Sequence, residues 1–131
     1  MMKVYIHIGS AKAGSSFLQS TCARARVQLA TCGIDFPMGS RRNEAAMQAG
    51  RISAGNARDF STAMMQANTG YQEKWLDLII GQARAANCSR LLLSSEWLLA
   101  ALAAPNRLHE LSDRLLRAGA VSVNLLLILR D

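Results

Sequence analysis

Apolar residues along this chain fall into two rhythms that alternate from one end to the other. Lys3 to Ile8 is a short, mostly apolar run, the pattern of a central strand buried on both faces. From about Ser15 to Cys32, the residues Leu18, Cys22, Ala25, Leu29 and Cys32 recur with the helical period and form one apolar stripe. Gly33 is placed to end that helix in a left-handed conformation. Ile34-Asp35-Phe36 reads as a short strand closed by Pro37. Residues 38–56 are polar, glycine-containing and aperiodic, which predicts a variable surface loop or lid. A weak helical pattern near Ala57 to Ala67 is broken at Asn68-Thr69-Gly70. Tyr71, Trp75, Leu78, Ile79 and Ala83 then share one face of a helix running from Tyr71 to Ala86. Arg90 to Ser94 is a strand, and Ser95 is placed to cap a short helix from Glu96 to Ala103. Pro105 starts a further helix that ends at Gly119, with Leu108, Leu111, Leu115 and Ala118 facing inward. Val121 to Leu129 is the last strand. It is apolar throughout from Leu125, as buried parallel strands are.

Strands that alternate with helices require crossover connections, so the pattern predicts an α/β fold: a parallel sheet flanked by helices in three layers. A length of 131 residues suits one domain with one modest core, and 1–131 is expected to be a single unit. With half of the residues apolar and 18% charged, the composition excludes a disordered or collagen-like chain. The apolar run Val4 to Ile8 is too short for the core of a signal peptide. No apolar run approaches the roughly 20 residues of a membrane span. The three cysteines, Cys22, Cys32 and Cys88, lack metal-ligand spacing, and their odd number argues against a disulfide framework. Cys22 and Cys32 fall on the helical stripe and are expected in the core, which fits a reducing cytoplasm. The net charge of +6 attracts anions. Arginines such as Arg24, Arg26, Arg84, Arg114 and Arg117 are scattered over helices without interleaved aromatics, so nucleic acid is not an expected partner.

The stretch Gly9-Ser10-Ala11-Lys12-Ala13-Gly14-Ser15-Ser16 carries the most chemistry. It follows a strand and opens a helix, a setting in which successive backbone N–H groups point into one concavity with the helix dipole behind them. Gly9 and Gly14 allow a phosphate to approach the backbone closely. Lys12 adds a positive charge, and Ser15 and Ser16 add hydroxyl donors, which also suit a helix cap. The pattern is not a Walker A loop, where lysine follows the second glycine and the next hydroxyl holds magnesium. Here lysine precedes Gly14, and nothing in the pattern calls for a metal.

In these residues the chain resembles the sulfotransferases that use 3′-phosphoadenosine-5′-phosphosulfate, whose loop reads Gly-x-x-Lys-x-Gly-Thr-Thr and often continues into Leu-Gln. This chain has Gly9, Lys12, Gly14, Ser15-Ser16 and Leu18-Gln19, with serines in place of the commoner threonines. Gly33-Ile34-Asp35-Phe36-Pro37 is similar to the family's Gly-Ile-x-Tyr/Phe-Pro stretch. Leu91 to Glu96 resembles the strand whose end presents the base that activates the acceptor. Leu125 to Arg130 resembles the strand whose final arginine grips the 3′-phosphate. The resemblance implies a P-loop NTPase-like domain that moves a sulfuryl group to an acceptor hydroxyl or amine on a glycan, lipid or small molecule. It implies Lys12 and Glu96 as catalytic residues, and Gly9 to Ser16 and Arg130 as the nucleotide site. The family's partner serine for that arginine would fall beyond Asp131, so the chain is expected to be the N-terminal part of such a domain.

Other assignments stay open on sequence. Glu96 also suits the first turn of a helix, where the dipole favours an acid. His7, inside the first strand, is expected to be a hydrogen-bonded interior histidine, and His109 a solvated one. Trp75, Trp97 and the Met64-Met65 pair are expected to pack. A P-loop nucleotide kinase with a degenerate loop would need magnesium and a second acid, for which only Asp131 is placed. A non-catalytic anion-binding fragment is the reading from outside enzymology.

Overall fold

The computed structural model describes residues 1–9, 15–38, 41–51 and 53–128. Its elements in order are β1 (Met2–Ile8), α1 (Ser15–Arg24), α2 (Arg26–Thr31), β2 (Ile34–Asp35), α3 (Arg41–Gln48), α4 (Arg58–Met65), α5 (Thr69–Ala85), β3 (Arg90–Ser94), α6 (Trp97–Leu102), α7 (Arg107–Arg117) and β4 (Ala120–Leu127). The strands form one sheet in the order β2-β3-β1-β4, and every pairing is parallel. The expected α/β class is therefore present, with β1 in the interior of the sheet.

Side chains alternate across a strand, so the sheet has two unlike faces. Val4, Ile6, Leu91 and Leu93 lie on one of them. They form the larger core with Phe60 and Met64 of α4, Leu76, Ile79, Ile80 and Ala83 of α5, Leu98 of α6, and Leu111 and Leu115 of α7. Leu92 points the other way, into a smaller cluster built from Cys22 and Ala23 of α1, Phe36 and Met47. Helices thus cover both faces. The element after β1 is α1 on one face, whereas those after β3 are α6 and α7 on the other.

Several expectations change in detail. The long helix expected to Cys32 divides at Ala25, whose φ of −92° and ψ of 17° mark a local kink. Helical bonding still runs through it, from Ala25 N to Thr21 O at 2.9 Å and from Leu29 N to Ala25 O at 2.8 Å. Cys22 is buried as expected, but Cys32 is exposed, because it lies past the last turn of α2. Asn68 does not interrupt a helix so much as begin one: its side-chain oxygen accepts from Tyr71 N at 3.1 Å and caps α5. Leu78 and Leu108, expected inward, are exposed, since the buried stripes of α5 and α7 centre on Leu76, Ile79, Ile80 and on Leu111, Leu115. Met65 is exposed beside buried Met64.

Two differences matter more. The described part of residues 38–56 is more than a loop. It contains α3, anchored by fully buried Met47 and by Arg24 Nε, which donates to Gln48 O at 2.9 Å. The last strand is not buried. β4 pairs with β1 on one side and forms an edge of the described sheet. Its Leu125, Leu126 and Leu127, with Ile128 just beyond, are 40–58% exposed. An apolar run has the same sequence pattern whether a second layer covers it or not, and here α7 covers mainly the start of the strand.

Candidate functional site

In an open parallel sheet, ligands bind outside the carboxyl ends of adjacent strands whose onward connections diverge to opposite faces. β1 and β3 are such a pair. They run side by side with His7 opposite Ser94, and the chain leaves β1 toward α1 and β3 toward α6. Gly9 lies buried at the carboxyl end of β1, and α1 opens at Ser15. Ser16 is half-buried in the first turn of α1, which carries no acidic residue. Ser10, Ala11, Lys12, Ala13, Gly14 and Arg130 lie outside the described residues. Glu96 follows β3 at the same edge of the sheet and is half-buried. The topology therefore places Gly9, Ser16 and Glu96 about the carboxyl ends of β1 and β3, although Glu96 is far from the other two in sequence.

Glu96 does not cap α6 with its side chain. That role falls to Ser95, whose Oγ accepts from Trp97 N at 3.1 Å and donates to Ala54 O at 2.7 Å. Glu96 makes no ion pair among the described residues, so its carboxylate is not committed to a structural partner. Trp97 is 41% exposed beside it, with the Arg58 guanidinium 5.6 Å from its ring centre, so its packing is peripheral. Trp75 does pack, stacked on Phe60 with ring centres 4.9 Å apart. His109 is solvent-exposed on α7, and its Nε2 lies 3.4 Å from Asp113.

Beneath the crevice lies a buried polar chain that runs through three elements. Ser53 Oγ donates to Gln19 Oε1 at 2.7 Å, Gln19 Nε2 donates to Ser94 Oγ at 3.1 Å, and Ser94 Oγ lies 2.9 Å from His7 Nδ1. Asn56 clamps the same place: its Oδ1 accepts from Ser94 N at 2.8 Å and its Nδ2 donates to Leu92 O at 3.1 Å. Gly55, at φ +82°, presses so closely on β3 that an added β-carbon would overlap the Ser94 carbonyl oxygen and Gln19 Nε2. Residues 53–57 are thus a fixed wall of the crevice. His7 is interior as expected but only half satisfied among the described residues, where its buried Nε2 has no hydrogen-bond partner. Burial also lowers its pKa below the ordinary histidine value, which favours the neutral ring.

The sequence pattern did not point to Ser53, Gly55 and Asn56. Ser53, Gly55 and Asn56 read as loop residues, and their partners lie tens of positions away. The one local trace is the turn-forming pair Gly55-Asn56.

No group of His, Cys, Asp and Glu among the described residues is arranged to hold a metal ion, and no described helix is long and apolar enough to cross a membrane. Comparison with protein-family models, curated proteins and solved structures found no match to this chain.

Proposed function

We propose that the chain carries the donor-binding part of a sulfotransferase with a P-loop-like nucleotide site. It would move a sulfuryl group from 3′-phosphoadenosine-5′-phosphosulfate to an acceptor hydroxyl or amine. The observation that supports this most is the divergence of the chain after β1 and β3, with Gly9 just past the end of one strand and Glu96 just past the end of the other. The loop residues 9–16 supply the second support through their resemblance to the family's phosphosulfate loop.

In this reading, the backbone amides of residues 9–16 and the hydroxyls of Ser15 and Ser16 hold the 5′-phosphosulfate. Lys12 lies against its bridging oxygen, and Arg130 grips the 3′-phosphate. The acceptor atom bonds to sulfur in line as the bond from sulfur to the bridging oxygen breaks. The electron pair of that bond stays on the phosphate, leaving adenosine 3′,5′-bisphosphate, and Glu96 takes the acceptor proton. Lys12 favours the transition state over the ground state because negative charge builds on the bridging oxygen only as the bond breaks. Positioning and charge carry the reaction, and none of these steps calls on a metal.

Calorimetric titration tests the reading. Adenosine 3′,5′-bisphosphate should bind without magnesium, and Lys12→Ala should weaken it. Tight binding of ATP with magnesium, and none of the bisphosphate, would reject the sulfotransferase reading in favour of a nucleotide kinase.

A further inference from the structure

On the sheet face that carries α1 to α3 lies a cavity of about 270 Å³, lined among the described residues by Tyr5, Ile34, Arg90, Leu92 and Leu126. Parallel register sets these side chains along a diagonal. Ile34 stands beside Arg90 toward the amino ends of the strands, Leu92 beside Tyr5 in the middle, and Leu126 beside His7 toward the carboxyl ends. The path from Arg90 to Leu126 crosses from β3 over β1 to β4. It is roughly 16 Å long, from about 4.8 Å per strand and about 3.3 Å per residue. Leu92, Phe36 and Met47 join β3 and the β2 end to α1 and α3, whereas Tyr5 is half-buried and Leu126 is 40% exposed.

One end of this path is charged and the rest is not. Arg90 Nη2 donates to Cys32 O at 2.5 Å, which holds the guanidinium at the turn before β2. Lys3 is exposed beside Arg90 in the register. Neither cation pairs with a carboxylate among the described residues. No acid is among the described lining residues, and Asp35, next to Ile34, is paired with Arg26 at 3.9 Å. A guanidinium held in place presents a fork that matches a carboxylate. Along the floor, the amides and carbonyls of β1 and β3 are engaged in the sheet ladders, so only the Tyr5 hydroxyl is left to bond the body of a ligand. A peptide would leave its own amides unanswered there. A second copy of this chain would bring another net charge of +6 against the same cations. A hydrocarbon chain that ends in a carboxylate satisfies both ends of the path.

We propose that this cavity binds a medium-chain acyl carboxylate, with its head on Arg90 and its chain over Ile34, Leu92, Tyr5 and Leu126. Burial of the chain supplies affinity and the guanidinium supplies selectivity for an anionic head. The proposal does not depend on the nucleotide reading above, and the two stand or fall separately.

Calorimetry with octanoate below its micellar range, read beside methyl NMR, tests this. Octanoate should saturate a single site, and 1-octanol should bind about tenfold more weakly or worse, the scale of a hydrogen bond to a charged group. The methyl resonances of Ile34, Leu92 and Leu126 should move with octanoate, while those of Ile80 and Leu115 in the larger core stay in place. Arg90→Met should reduce octanoate to the affinity of octanol. Leu126→Asp changes an exposed side chain, so it should weaken octanoate by a similar factor with the circular dichroism unchanged. Absence of saturable binding overturns the proposal, as does octanol that binds the unaltered chain as well as octanoate. Shifts confined to Leu125 and Leu127, on the opposite face, would place the ligand on the sheet margin and also overturn it. So would a dimer in the free protein that shields the Leu126 methyls, since the cover would then be a second copy.

Discussion

On the side of α4 to α7, the sheet meets its helices through Val4, Ile6, Leu91 and Leu93 against Phe60, Met64, Leu76, Ile80 and Leu115, an apolar contact. On the side of α1 to α3, the same two strands offer His7, Leu92 and Ser94, and a chain of hydrogen bonds does much of the joining. Apolar contacts are tolerant of small shifts and strong in aggregate, whereas buried hydrogen bonds demand fixed geometry and contribute little net stability each. One face is thus suited to holding the fold, and the other to holding groups at defined places. The carboxyl edge of β1 and β3 belongs to the second face.

The contrast is open to breakage. The largest effect is expected from Phe60→Ala, which empties the centre of the larger core and removes the stack on Trp75. Denaturant titration should show a loss of about 3–5 kcal/mol, with anion affinity unchanged wherever the variant remains folded. A loss of affinity larger than the loss of folded protein would show that the two faces are not separable.

Gly55→Ala attacks the other face. The left-handed φ and the contact with the Ser94 carbonyl leave no room for a methyl group, so residues 53–57 must move off β3. A stability loss of about 1–3 kcal/mol is expected from the overpacking, with rapid hydrogen exchange confined to the β3 end and the first half of α1. Exchange that rises equally in α5 and α7 would mean that the faces unfold as one.

The smallest effect is a slope with pH. Burial lowers the pKa of His7 in the folded state, so the unfolded chain binds the proton more readily. The contribution of the neutral ring is complete above the ordinary value near 6.5 and is lost as pH falls below that value through the depressed one. Stability should therefore decline with acidification in this window, and His7→Phe should flatten the decline. Asp35 has the opposite sign. Burial raises its pKa, partly offset by Arg26, and its contribution is present below the ordinary value near 3.8 and lost as pH rises through the raised one. The two slopes run against each other, so comparing Asp35→Asn with His7→Phe separates them.

How much of this was legible in the sequence depended on the force involved. Periodic burial leaves a periodic trace, so β1, β3, α7 and the parallel α/β class could be read from spacing alone. α3 could not, because Met47 is its single fully buried apolar residue among Arg41, Arg42, Asn43 and Glu44. The wall at residues 53–57 was hidden for another reason: Gln19, Asn56 and Ser94 meet only after folding, and hydrogen bonds between distant residues impose no period on the chain. Leu125 to Leu127 misled in the reverse direction, since an apolar run records what a strand offers and not whether a neighbour accepts it. Gly9, Ser16 and Glu96 were expected at element boundaries, and that is where the fold has them.

β4 has a practical consequence. A row of leucines beside unpaired strand amides is the kind of surface on which one molecule templates the next. Concentrated preparations of this chain should cloud or gel from that margin first, and a lysine in place of Leu127 is the simplest way to keep them clear.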